Sequence, residues 1–208
     1  MGVPVGGGMS YSLSEATALC LKAARGSGMT WGYAQEAAYA AIWLEERGCA
    51  GIDALCTLLH TRGRHNSQSG ALLADSGPIA LGCKLTDLAP DLWFNDTYDG
   101  VIAPLLMLPY IHQYAALKSL CIHVQSTEWQ AWSDGQDFHV TGTPPHQMQQ
   151  LTLSRVAQPA PKSPPLRTRV DLTQQHLDDL NSYAHRTYAP ATEASRLAGA
   201  GAGLNDND

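Results

Sequence analysis

The chain has 208 residues, 13 Lys and Arg against 19 Asp and Glu, a net charge of −6, and 44% hydrophobic residues. That length and apolar content suit one domain with a sizeable core, while the acidic balance, with a pI near 5.7, argues against a nucleic-acid partner. No run reaches the roughly 18 apolar residues of a membrane span; Val101 to Tyr110 is short and holds two prolines.

The N-terminus, Met1-Gly-Val-Pro-Val-Gly-Gly-Gly-Met-Ser10, has neither the positive region nor the apolar stretch of a secretory signal. Met9 is a second candidate start, which would make the first eight residues an extension. Ser12-Leu-Ser-Glu15 has the form of a capping box. It predicts a helix to about Arg25 that stops at Gly26 or Gly28, with Leu13, Leu19, Cys20 and Ala23 as its buried stripe. Glu15, Lys22 and Arg25 then share a polar face. Thr30 is placed to cap a second helix running to about Arg47 and stopped by Gly48. Its alanines at 34, 37, 38, 40 and 41 allow close helix approach. A third helix is expected over residues 52–60, then a surface loop over 61–77. A strand is expected over 79–85, a loop over 93–100, and a buried helix over 103–120, entered at Pro104 and kinked at Pro109.

From Cys121 the pattern turns to alternation, with His123 and Gln125 opposite Ile122 and Val124. Ser133-Asp-Gly135 marks a hairpin, and residues 138–141 and 151–156 continue the sheet. Four prolines in residues 158–165 form a stiff connection. A strand over 167–171 leads to a helix capped by Thr173, with Leu177, Leu180 and Ala184 inward. Helices first, an antiparallel sheet later, then a C-terminal helix with an extended tail make this a single α+β domain.

Five cysteines without a C-x-x-C pair read as free, largely buried thiols suited to a cytoplasmic setting. None of the eight histidines sits in an H-E-x-x-H pattern, so no metal site is expected and each histidine is read as structural. There is no G-x-S-x-G elbow. Gly199-Ala-Gly-Ala-Gly203 is followed by only five residues, too few for the helix of a dinucleotide fold, so no cofactor is expected. Asn95 and Asp96, among Trp93, Phe94 and Tyr98, suit recognition of a small polar ligand, although a turn ahead of the helix explains them equally.

The C-terminal stretch carries the strongest functional signal. Arg186 and Arg196 can grip an anion bidentately, Ser195 and Tyr188 supply hydroxyls, and His185 titrates near neutral pH. Asp206 belongs to a terminal acidic cluster. The alternative is a docked helix end with a solubilising tail. If the tail folds over the first helix, Lys22, Arg25, Asn95 and Asp96 complete a pocket. Together these residues predict either of two roles. One is a cofactor-independent lyase or hydrolase acting on a small anionic metabolite, with Arg186, Arg196, Ser195, Lys22, Arg25, Asn95 and Asp96 binding and Tyr188, His185 or Asp206 in proton transfer. The other is a non-catalytic binding or accessory subunit that homo-oligomerises through the alanine-rich helices or docks on a metabolic enzyme, with the tail as a strap.

Ser12-Leu-Ser-Glu15, Lys22-Ala-Ala-Arg-Gly26, the Trp31-Gly…Glu36-Ala pattern, Pro104-Leu-Leu-Met-Leu-Pro109 and the Arg186-Thr-Tyr…Gly203 tail resemble a bacterial family labelled domain of unknown function 3726. That resemblance, expected over about residues 10–208, implies a stand-alone bacterial protein linked to small-molecule metabolism and supplies no established activity. The paired N-terminal helices are also similar to the start of the malate/L-lactate dehydrogenase family. Gly48-Cys-Ala-Gly51 stands where that family has its histidine motif, so its activity is not carried over.

Overall fold

The structure is a computed structural model and describes residues 8–65, 77–88, 97–144 and 149–188. Six α-helices and seven strands lie among them, in an α+β arrangement. Strand β1 (Met9–Ser12) runs into helix α1 (Leu13–Gly26), followed by α2 (Trp31–Glu46), α3 (Gly51–His65) and α4 (Pro78–Leu88). Strand β2 (Thr97–Val101) and a 3-10 turn (Pro104–Met107) precede α5 (Leu108–Lys118). Strands β3 (Cys121–Gln125), β4 (Trp129–Ser133), β5 (Phe138–Gly142) and β6 (Gln149–Val156) follow. Strand β7 (Arg169–Leu172), α6 (Gln174–Ala184) and a second 3-10 turn (His185–Thr187) close the described chain.

Local rules set the helix ends. The Ser12 hydroxyl accepts from the Glu15 backbone N–H at 3.2 Å, and Glu15 accepts from the Ser12 N–H at 2.9 Å, closing the capping box at α1. Thr173 does the same at α6, with His176 rather than a glutamate in the reciprocal role. Thr30 occupies the cap position of α2 without a side-chain hydrogen bond. The α1 stripe is buried at Ala16, Cys20, Ala23 and Ala24, with Leu13 and Leu19 at its margin.

The five-stranded antiparallel sheet has the order β2-β6-β3-β4-β5. Ile122, Val124, Ala131, Phe138, Leu151 and Leu153 share its buried face, against which the helices lie. Trp43 of α2 packs edge-on to Phe138 at 4.9 Å. The alanine side of α2 is consumed inside the chain, all five residues being buried, so it is not available as the subunit contact expected from the sequence. Instead it lets α1 and α3 approach closely.

Four local expectations are corrected. Residues 79–85 are helical, within α4: Ile79, Gly82 and Leu85 recur at helical spacing and are buried. Gly82 lets α4 touch the Tyr110 ring, which a Cβ there would overlap. Residues 97–100 belong to strand β2, an edge strand whose register shifts between Tyr98 and Val101, and such exposed edges lack clean alternation. Residues 61–65 extend α3 rather than opening a loop. The 103–120 segment is entered at Pro104, as expected, but begins as a 3-10 turn that passes into α5 at Leu108 and ends at Lys118; Ala103 just ahead of it takes a left-handed φ of 48°.

Strand β1 was not anticipated. It pairs with β7 in a separate two-stranded ribbon, Met9 opposite Leu172 and Ser12 opposite Arg169. The strand expected over 167–171 therefore exists, shifted to 169–172, but outside the main sheet.

Candidate functional site

The ribbon and α6 bring the end of the described chain onto α1. Helix α6 packs along α1 through Leu177, Leu180, Tyr183 and Ala184, all buried. Closest approach is at Gly26, where a Cβ would overlap the Tyr183 carbonyl oxygen. Beyond it the 3-10 turn His185–Thr187 lies against α1, itself held to the end of α6 by the Thr187 hydroxyl donating to the Ala184 carbonyl at 2.7 Å.

A cavity of about 560 Å³ opens at this junction. Ala18, Leu21, Lys22 and Arg25 of α1 form one wall, Gly28 and Trp31 the approach to α2, and Arg186 and Thr187 the other side. Lys22 and Arg25, three residues apart, fall on one face of α1. Three cations thus converge without a carboxylate in the lining among the described residues. None of them forms an ion pair among the described residues; each is instead placed against an aromatic ring. Lys22 Nζ lies 5.9 Å from the Tyr188 ring centre, the Arg25 guanidinium 5.2 Å from Trp31, and that of Arg186 4.5 Å from Tyr183. Arg25 also donates Nη1–H to the Met29 carbonyl, which fixes its guanidinium and leaves its other donors uncommitted. The start of α2 adds positive potential, since its first turn holds no acidic residue and no side chain caps it.

Of the residues expected at the site, Lys22, Arg25 and Arg186 meet in the cavity lining. Tyr188, whose ring lies 5.9 Å from Lys22 Nζ, and His185 are not in the lining; their rings are edge-to-face at 5.7 Å and both are exposed. Asn95, Asp96, Ser195, Arg196 and Asp206 lie outside the described residues. Sequence reasoning did not place Trp31 in the pocket. The available signal was an aromatic at the first position of a helix, where a side chain faces away from the core.

The remaining described histidines have local partners. His176 Nε2 is 2.9 Å from Asp53 Oδ1, and His60 is 3.3 Å from Asp179. His112 Nδ1 lies 2.8 Å from the Ser133 hydroxyl. His123 bonds Gln130 at 3.0 Å and stacks on Trp132, which His139 flanks. Burial and the Arg47 charge push the His112 pKa below its ordinary value. The hydrogen bond to Asp53 raises that of His176 despite burial.

Comparison with known proteins gives one family. Residues 11–93 match a family described as "Protein of unknown function (DUF3726)", so the chain resembles that family over α1 to α4. The match takes in Lys22, Arg25 and Trp31; Arg186 and Tyr188 lie beyond it. No curated protein and no solved structure matches the chain. No helix among the described residues is long and apolar enough to cross a membrane.

Proposed function

We propose that this protein binds a small anionic metabolite in the cavity between α1, the start of α2 and the turn after α6. One observation carries the reading: Lys22, Arg25 and Arg186 line a single cavity with no acidic side chain in the lining among the described residues. Like charges so gathered repel one another unless a bound anion or solvent ions compensate them. Two of the three are guanidiniums, whose planar forks match carboxylate and phosphate geometry. The five free thiols accord with a cytoplasmic setting.

A cofactor-independent lyase or hydrolase acting on an amino-acid or organic-acid metabolite is the catalytic form of this proposal. In it His185, Tyr188 or Asp206 would transfer protons, with Ser195 and Arg196 among the binding residues. The second reading is a binding or accessory subunit without turnover. It draws support from the lining itself, which holds cations, Thr187 and apolar groups but no imidazole or carboxylate among the described residues.

The test is a thermal-shift and calorimetric screen with citrate, succinate and inorganic phosphate, on wild type and on the double variant R25A/R186A. An anion at 100 times its Kd stabilises the fold by about 2.7 kcal/mol, and the double variant should lose that shift. A wild type indifferent to every anion, or a double variant that binds as well as wild type, would remove the proposal.

A further inference from the structure

We infer that the ligand of this cavity carries a planar ring next to its negative charge; this rests on the anion-binding reading above and narrows it. The cavity, at about 560 Å³, falls within the range of roughly 300–1,000 Å³ that encloses a ligand of drug-like size. A bare inorganic anion or a four-carbon diacid fills only a fraction of that volume. The rest of the lining is shaped for something flat and apolar.

Trp31 is the central residue. Its indole is 58% exposed, an unusual placing for the side chain with the largest apolar surface, and it lines the cavity. Arg25, anchored by the Met29 carbonyl, lies against it. Leu21 and Ala18 extend the apolar wall along α1. Between Arg25 and Trp31 the lining is bare backbone at Gly28, which holds a φ of 91° and has no heavy atom within 4 Å of where a Cβ would stand. A ring can slide over this gap without meeting a side chain.

The cations point the same way. All three lie beside rings, Lys22 with Tyr188, Arg25 with Trp31 and Arg186 with the buried Tyr183, and of these rings Trp31 lines the cavity among the described residues. A guanidinium stacked on a ring presents its other face and its N–H edge to a ligand. The complementary molecule carries its negative group within reach of that edge and its own ring against the guanidinium or the indole. An aryl carboxylate has this form, and so does a nucleoside monophosphate.

Two matched pairs of probes test the inference by calorimetry on the full chain. 2-Naphthoate is compared with decahydro-2-naphthoate, equal in charge and carbon number but not planar. AMP is compared with ribose 5-phosphate, which lacks the base. The planar member of one pair should bind about fivefold more tightly, and that ratio should fall to near one in Trp31→Ala and be partly kept in Trp31→Phe. Circular dichroism checks that both variants are folded. Arg186→Ala should weaken both members of the pair alike and leave the ratio standing. A preference in the first pair assigns an aryl acid, and one in the second a nucleotide. Ratios near one in both pairs overturn the inference while leaving the anion pocket intact, as does a ratio that survives in Trp31→Ala. Failure of all four probes and of citrate overturns both readings.

Discussion

The carbonyl of Tyr183 rests so close to the Cα of Gly26 that no side chain fits between them. This contact sets the depth at which α6 seats on α1, and so the distance from Arg186 to Lys22 and Arg25. Gly26→Ala should therefore destabilise the fold by about 1–3 kcal/mol through overpacking, read from the denaturant midpoint, and should weaken anion binding along with it. Gly32→Ala is the control: its Cβ would meet nothing, so stability should hold or rise by about 0.5 kcal/mol. Equal losses in the two variants would contradict this account.

Charge in the cavity should be visible as salt sensitivity. Each of Lys22→Ala, Arg25→Ala and Arg186→Ala should cost about tenfold in affinity for a multivalent anion, the order expected for one charge-assisted hydrogen bond. Raising ionic strength from low salt to about 0.5 M should weaken wild-type binding and weaken the triple variant far less. Calorimetry at two salt concentrations decides it.

Two histidines give stability opposite dependences on pH. The His176 pKa is raised by its hydrogen bond to Asp53, so its contribution is full below the ordinary value of 6.5 and fades as pH climbs through the raised one. Because Asp53 is 46% exposed, the effect should stay under about 1 kcal/mol. Asp53→Asn should accordingly cost more at pH 6 than at pH 8 in urea denaturation. The His112 pKa is lowered by burial and by Arg47. Its neutral form belongs to the native state, and stability from this site is lost as pH falls below 6.5 through the lowered value. His112→Gln should therefore flatten the acid limb and leave the limb above neutrality unchanged. A steeper acid limb in that variant would reverse the assignment.

The thiols offer a check on packing that needs no ligand. Cys20 and Cys56 are buried. Burial pushes the Cys20 thiol far above its usual range and that of Cys56 up to about 12; Cys49 and Cys83 are each raised to about 11. Since the thiolate is the reactive form, iodoacetamide near pH 8 should leave Cys20 and Cys56 untouched in the native protein. Mass spectrometry after a pulse of reagent reads this out. Modification of Cys20 faster than global unfolding would show that α1 does not seat as described.

How much of this was legible in the sequence depended on how far apart the deciding residues stand. Ser12 with Glu15 and Thr173 as a cap are local pairings, and both boundaries follow from them. Alternation placed β3 and the β4–β5 hairpin because one face of each strand is buried. Residues 79–85 misled because a short apolar run satisfies strand and helix patterns alike; only contact with Tyr110 selects the helix. Strand β1 is four residues long, and its partner lies near the other end of the chain. The basic residues of the pocket were recognisable as anion-binding types. Their convergence does not follow from spacing, since it needs α6 to lie on α1. Trp31 escaped notice because exposure, rather than identity, makes it informative.

That the pocket joins the second helical turn from the end of α1 to a turn near residue 186 has a consequence for the newborn chain. Its two walls are made about 160 residues apart, and at a synthesis rate of roughly 5–20 residues per second the first waits some 8–30 s for the second. Throughout that interval α1 can pack on α2 but not yet on α6 or β7. The proposed anion pocket therefore waits for residue 186, and a chain cut short upstream of β7, lacking α6 and Arg186, should not bind the anion.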